Sequence, residues 1–164
     1  MKKKSPKKSA AARPPIPREV YDAYLEHLKL RGMRMTSLEA KLGQWPSEEE
    51  KLAFTIDFDA ESDMREEAVV FDVRFTIHIR DQSGAEVATI TSAYAVICDA
   101  PQEPPEGFVE IFAPMNLSRL VYPFFREVVA GVTAKMELPT LFVPLNIFSR
   151  PRPAANPRKV PEAR

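Results

Sequence analysis

Hydrophobic and polar residues alternate along the middle of the chain, and this pattern predicts its β-strands. Between Val69 and Ile79 every second residue is apolar, while the residues between them are mostly charged or polar. Leu52–Phe58 alternates in the same way, which is typical of a strand with one buried face. A turn at Asp81–Gly84 joins the Val69–Ile79 run to a third run, Val87–Ile97, and predicts a hairpin. Leu30–Leu42 predicts a less regular first strand, with a bulge at Gly32.

Apolar residues at helical spacing predict two helices. Arg18–Lys29 has the pattern of a short amphipathic helix, and Leu117–Val132 that of a helix with a broad apolar face, with Asn116 as its N-cap. Asp99–Gly107 is rich in proline and predicts a crossing between strand and helix, and Leu138–Phe148 is apolar but holds two prolines, so we expect it to be extended. Four antiparallel strands followed by a helix make an α+β arrangement.

Charge and proline divide the chain into a body and two tails. Residues 1–17 and 150–164 are basic and rich in proline, and we expect both to be disordered. The domain is expected to span residues 18–149. Residues 19–149 carry 11 basic and 22 acidic side chains, although the whole chain is formally neutral. A strongly acidic body disfavours nucleic acid and favours basic polypeptides as partners.

The sequence contains few candidate reactive groups and no candidate membrane-spanning segment. No apolar run approaches ~20 residues, and no apolar stretch follows the basic start, so neither membrane insertion nor secretion is expected. A single cysteine, Cys98, fits a reducing, cytoplasmic compartment. His27 and His78 lack a partner motif, and the carboxylates Asp57, Asp59 and Glu61 lack calcium-loop spacing. We therefore expect no catalytic residue, no metal site and no cofactor.

The chain has more apolar surface than so small a body needs for its own core. One sheet face, one broad helix face and an extended apolar segment all require burial. Either an oligomer covers the excess, or part of it binds apolar segments of other chains. The sequence thus indicates a non-catalytic protein that binds polypeptides.

Several short elements with proline, aromatic or acidic residues lie between residues 30 and 148. They are a Pro-Asn element, an aromatic-Pro-aromatic element followed by Arg-Glu, two later Pro elements and an upstream Ser-x-Glu element. In this sequence they are Pro114 and Asn116, Val121-Tyr122-Pro123-Phe124, Arg126-Glu127, Leu138-Pro139, Pro144-Leu145-Asn146-Ile147 and Thr36-Ser37-Leu38-Glu39. Through these elements, residues 30–148 resemble the SecB family of protein-export chaperones.

The resemblance implies a four-stranded antiparallel sheet with a helix packed on one face, which assembles as a dimer of dimers. It also implies an ATP-independent holdase that binds unfolded polypeptides or preproteins, with export as one of its roles. It also implies a set of site residues. Client-binding candidates are Phe108, Phe112, Leu141, Phe142 and Phe148. The stripe of Leu120, Phe124 and Val128 is the candidate oligomer interface, of a tetramer or dimer, although it could instead pack on its own sheet. Glu39 matches the family's acidic contact for the SecA-type translocation ATPase.

Part of the family's pattern is missing from this sequence. The family's second C-terminal helix and acidic tail have no counterpart, because the chain ends in a basic, proline-rich segment. Two functional hypotheses therefore remain beside that of an unrelated enzyme or structural protein. The first is a general or export holdase, and the alternative is a dedicated adaptor or chaperone of a single partner, such as an antitoxin, without translocase coupling.

Overall fold

The computed structural model describes residues 16–46, 51–139, 141 and 143–144. Both predicted tails, apart from Ile16 and Pro17, lie outside these residues. The elements, in chain order, are helix α1 (Arg18–His27), strands β1 (Lys29–Leu42), β2 (Ala53–Arg65), β3 (Ala68–Arg80) and β4 (Glu86–Asp99), helix α2 (Phe108–Phe112), a π-helical turn (Ala113–Leu117) and helix α3 (Ser118–Lys135).

The four strands form one antiparallel sheet in the order β1-β4-β3-β2. β2, β3 and β4 follow one another as hairpins, and the Asp81 carboxylate organises the β3–β4 turn by accepting hydrogen bonds from the Ser83 hydroxyl and the Ala85 backbone N–H. β1 lies against β4 rather than β2. Its register shifts near Gly32, where the bulge was predicted, and again between Met35 and Ser37.

The core lies between one face of the sheet and the helices. The alternating apolar residues of β3 from Val69 to Ile79 are fully buried, as the sequence pattern predicts. The Phe75 ring stacks on Phe125 of α3 with 4.9 Å between the ring centroids, and Phe71 packs against Phe112 of α2. These contacts fix α2 and α3 over the centre of the sheet.

The main helical segment begins earlier than the sequence predicts. α2, the π-helical turn and α3 run on from Phe108 to Lys135, so the segment starts at Phe108 and not after Asn116. The prediction that Asn116 is an N-cap is wrong, because the backbone at Phe112 and Leu117 is already helical. The Asn116 amide instead donates to the Tyr21 hydroxyl of α1, 3.0 Å away. The Asn116 side chain therefore contacts α1 and does not cap the helix as the sequence predicts.

After α3 the chain turns back along the helix. Glu137 has a positive φ of 55°, and the described residues that follow, Leu138, Pro139, Leu141, Val143 and Pro144, belong to no helix or strand. The Arg126 guanidinium of α3 donates to the Val143 carbonyl at 3.1 Å, and Leu138 and Val143 are buried. This part of the chain is therefore packed on the flank of α3.

Candidate peptide-binding grooves

A groove of about 630 Å³ separates strand β2 from the crossover that leads into α2. One wall is the β2 segment from Phe58 to Ser62. The other wall consists of crossover residues and the first turns of the helical segment: Glu103, Pro104, Pro105, Glu106, Gly107, Val109, Glu110, Ala113 and Pro114. We call this the β2 groove. Its length along β2, five residues at about 3.4 Å each, is about 17 Å, which suits a short extended peptide.

The β2 wall has an apolar side and an acidic side. Phe58 and Ala60 lie opposite Phe75 and Val73 of β3, which belong to the buried core, so they face the helices. The intervening residues face the other side of the sheet and are exposed. In order along the strand they are Ala53, Thr55, Asp57, Asp59, Glu61 and Asp63. One edge of the groove is therefore apolar towards the helices and negatively charged on the opposite face.

The crossover wall is rich in proline and glutamate. Pro104, Pro105 and Pro114 contribute ring surface and carbonyl oxygens but no backbone N–H. Among the described residues that line the groove, none is basic. The crossover enters α2 through Gly107, whose φ of 83° is in the left-handed region that favours glycine. The groove therefore attracts cationic segments and repels anionic ones.

Helix α1 fixes the crossover wall from behind. The Tyr24 hydroxyl donates to the Gln102 carbonyl at 3.0 Å, and the Tyr24 and Tyr21 rings lie 4.7 and 5.0 Å from the Phe108 ring. These contacts hold both the start of the crossover and the first residue of α2. The predicted short helix thus supports the groove.

The structure distributes the predicted client-binding residues unevenly. Phe108 and Phe112 are buried in the core and stack on each other, and neither lines the β2 groove. Leu141 is half-buried against the core, and Phe142 and Phe148 lie outside the described residues. Sequence reasoning missed Val109 and Ala113, which line the groove from α2 and the π-helical turn. Each directly follows a buried phenylalanine in the sequence. Recognising Gly107 as the start of the helix would have shown which way these two side chains point.

A second groove, of about 420 Å³, lies between β1 and α3. We call it the β1 groove. Phe124 and Val128 line it from the helix, and Met35 and Leu38 line it from the strand. Phe124 is 47% exposed and Met35 is 49% exposed, so the described part of the chain leaves apolar surface uncovered in this groove. Leu120 is partly buried and packs against the core.

Glu39 lies on the exposed edge strand β1, on the face away from the helices. Its carboxylate forms an ion pair with Lys41 at 2.8 Å, and this hydrogen bond lowers the pKa of Glu39. The residue is therefore accessible and negatively charged at neutral pH.

The titratable groups outside the grooves provide no reactive cluster within the described part of the chain. Burial and the nearby Asp99 raise the pKa of the Cys98 thiol to about 11, so the thiol stays protonated and is a poor nucleophile at neutral pH. His78 lies 3.4 Å from Asp57 and 3.3 Å from Glu86, on the polar face of the sheet. No group of three or more His, Cys, Asp or Glu side chains in the described ranges could hold a metal ion. Nor is any described helix both long and apolar enough to cross a membrane.

Comparison with known proteins shows that this chain is similar to SecB-like chaperones. Rv1957, a SecB-like chaperone of Mycobacterium tuberculosis, is 25% identical over 157 residues, covering 83% of this chain and 86% of that protein. MT2006, a SecB-like chaperone from a second strain of the same species, gives the same values. No protein-family model matches the chain.

A solved structure supports the same relationship at the level of the fold. It shows Rv1957 in complex with a ChAD peptide from the Rv1956 HigA1 antitoxin. It matches this chain with a TM-score of 0.68 and 24% sequence identity, and covers 82% of this chain and 99% of that one. The predicted SecB-like resemblance is confirmed, as is the four-stranded antiparallel sheet with a helix packed on it.

Proposed function

We propose that this SecB-like chain is a non-enzymatic chaperone dedicated to one polypeptide partner, from which it binds a short extended segment in the β2 groove. The observation that carries the proposal is the complex of a SecB-like relative of the same fold with a peptide from an antitoxin. An antitoxin is accordingly the partner class we favour. General holdase activity on unfolded chains or preproteins is the competing function.

The β2 groove suits this role for two physical reasons. It is open along its length, so that an extended segment can enter without threading, and it has an apolar side formed by Phe58, Ala60 and Val109. Burial of apolar side chains there provides affinity without ATP. A chaperone that binds the unfolded or unassembled form of its partner shifts the partner's folding equilibrium by mass action.

We also propose that the β1 groove is the contact between copies of this chain. Within the described residues the outer edge of β1 pairs with no strand, and it is flanked by the exposed apolar side chains of Met35, Leu38 and Phe124. An antiparallel strand can pair with its own copy about a twofold axis, and the same apolar stripe then meets itself. The predicted dimer or tetramer would bury this stripe.

Coupling to a translocation ATPase rests on Glu39 alone. The residue is exposed, as a contact requires, but its ion pair with Lys41 competes with any basic group of the ATPase. The SecA-type contact, export and the cytoplasmic location remain predictions.

The deciding experiment has two parts. The first is affinity purification of the tagged full-length chain with quantitative mass spectrometry, with a photo-crosslinker at Val109 or, as a control, at Thr76 on the opposite sheet face. A single partner in near-stoichiometric yield, crosslinked from Val109 and not from Thr76, is expected.

The second part is light scattering of two unrelated reduced, aggregation-prone proteins without ATP. A dedicated chaperone leaves their aggregation unchanged at severalfold excess. Strong suppression of both, together with many crosslinked partners, would replace the dedicated chaperone by a general holdase.

A further inference from the structure

We propose that the basic N-terminal segment, residues 1–15, binds the rim of the β2 groove on its own chain and competes there with the ligands of the groove. The inference rests on the proposed function and goes beyond it, because it assigns the groove an internal competitor that sets how readily a client enters. The segment lies outside the part of the chain that resembles the SecB family, which begins at residue 30, so the resemblance implies nothing about it.

The segment and the rim have opposite charge. Residues 1–15 carry six basic side chains and no acidic one. Among the described residues that line the β2 groove, five are carboxylates and none is basic. Three of these carboxylates, Glu103, Glu106 and Glu110, are exposed on the crossover wall, and we call them the acidic rim. A basic segment is therefore attracted to this rim.

Helix α1 attaches the segment beside the groove. The Asn116 amide donates to the Tyr21 hydroxyl at 3.0 Å, and Asn116 lies two residues after Pro114 of the groove wall. The Tyr21 backbone N–H donates to the Pro17 carbonyl at 3.0 Å, in the first turn of α1. Ile16, which is partly buried against the core, is thus the fixed point from which the segment leaves. The segment therefore starts one helical turn from a side chain that contacts the groove wall.

The segment is long enough to reach the acidic rim. Fifteen residues span at most about 50 Å when fully extended, whereas the groove is about 17 Å long. Because the segment and the groove belong to one chain, the contact is intramolecular, and its effective concentration is on the order of millimolar. Even a weak contact is therefore populated without a second molecule.

The composition of the segment makes it a weak competitor. Apart from Met1 it contains only Lys, Ser, Pro, Ala and Arg, so it has no other large apolar side chain. It matches the charge of the acidic rim but cannot fill the apolar side formed by Phe58, Ala60 and Val109. Occupancy by the segment raises the apparent dissociation constant of every groove ligand by the same factor. Ligands held by charge alone are the first to be excluded, while a client that also fills the apolar side still binds.

Photo-crosslinking of the isolated full-length chain tests the contact directly. A photo-crosslinker at Val109 should join to residues 1–15, as mapped by mass spectrometry, and one at Thr76 on the opposite sheet face should not. In a mixture of isotopically heavy and light chains, the crosslinks should lie within single chains. Their yield should fall by about threefold or more between about 0.05 and 0.5 M salt, because exposed charges are screened.

Substitution at the two basic tails separates this contact from an effect of net charge. The N-terminal variant replaces five lysines by serine: Lys2, Lys3, Lys4, Lys7 and Lys8. The matched control replaces the five basic residues of the other tail by serine: Arg150, Arg152, Arg158, Lys159 and Arg164. The probe is a dye-labelled peptide of four lysines and four leucines, followed by fluorescence anisotropy. The N-terminal variant should bind it about threefold to tenfold more tightly than the wild type, because the competitor is gone, and the control should bind it as the wild type does.

The outcomes separate this inference from the proposed function. Crosslinks from Val109 that miss residues 1–15, or that join heavy to light chains, would overturn the intramolecular contact. So would an N-terminal variant whose affinity for the probe equals that of the wild type or of the control variant. The proposed function survives these results if the natural partner still crosslinks from Val109. A partner that crosslinks only from Thr76 would instead overturn the proposed function, and with it the role of the segment as a competitor.

Discussion

The Tyr24 hydroxyl donates a hydrogen bond to the Gln102 carbonyl at 3.0 Å and joins helix α1 to the start of the crossover. The Tyr24 ring is buried against Phe108. Because the crossover forms one wall of the β2 groove, α1 supports this groove although it does not line it.

Tyr24→Phe should lower the free energy of unfolding by about 1 kcal/mol, since it removes one hydrogen bond and leaves the Gln102 carbonyl without this donor. Tyr24→Ala should cost about 3 kcal/mol or more, because it also leaves a cavity beside Phe108. Urea unfolding measures both. Tyr21→Phe, which removes the exposed hydrogen bond from Asn116, is the control and should cost less than Tyr24→Phe. Equal costs at both tyrosines would contradict the anchoring role of Tyr24.

Val109→Glu should weaken partner capture by about tenfold, because it places a charge on the apolar side of the β2 groove, where its burial is unfavourable. The ratio of partner to chain in affinity purification measures the effect. Val20→Glu is the matched control, since Val20 is exposed on α1. If the two substitutions reduced capture equally, the β2 groove would not be the binding site.

Phe124→Ser should lower the mass of the particle in solution, because it removes the largest exposed apolar side chain of the β1 groove. Sedimentation velocity over a range of concentrations should show at least a tenfold rise in the dissociation constant between copies. Met115→Ser is a control at an equally exposed apolar residue outside the β1 groove, and should leave the mass unchanged. A wild-type chain that is monomeric at all concentrations would refute the interface.

Asp81→Asn should destabilise the fold at neutral pH and lose this effect in acid. Hydrogen bonds from the Ser83 side chain, with smaller contributions from the Ala85 N–H and Gln44, lower the pKa of Asp81 below 3.8. A carboxyl group with a lowered pKa in the folded state stabilises the fold above its unfolded pKa, and this contribution disappears as the pH falls through the folded value. The wild type should therefore be more stable than the variant at pH 7, and the difference should vanish below the pH of the folded titration. A difference that persists unchanged in strong acid would contradict this assignment.

The sequence predicts the sheet better than the helical segment, for a physical reason. The alternation from Val69 to Ile79 reflects burial of one face of a central strand, and a one-residue shift would expose the whole set, so pattern and structure agree. The helical segment depends on contacts between distant residues. Asparagine is a residue type typical of N-caps, but the Asn116 side chain donates a hydrogen bond to Tyr21, 95 residues earlier in the chain. Local sequence does not encode that partner.

Only part of the candidate site could likewise be read from the sequence. The stripe of Phe124, which is exposed, and Val128, which is half-buried, could be read from helical spacing, because a stripe off the buried face needs only the period of the helix. The β2 groove could not be located, since it brings Ala60 together with Val109, and the distance between them depends on how the crossover is held. The resemblance to the SecB family, and not the apolar pattern, suggested Phe108 and Phe112 as client-binding residues. Phe108 and Phe112 support the groove from the core, while smaller neighbours line it.

The strand order β1-β4-β3-β2 has a consequence for stoichiometry. The two outermost strands are separated by the full width of the sheet, so pairing at one of them leaves the backbone of the other unaffected. In an assembly joined through β1, each subunit would keep a β2 edge that pairs with none of the described strands, and the valency for extended segments would equal the number of subunits. A multivalent particle of this kind holds several segments of one long chain at once, or one segment from each of several chains, and gains avidity from the geometry of the sheet alone.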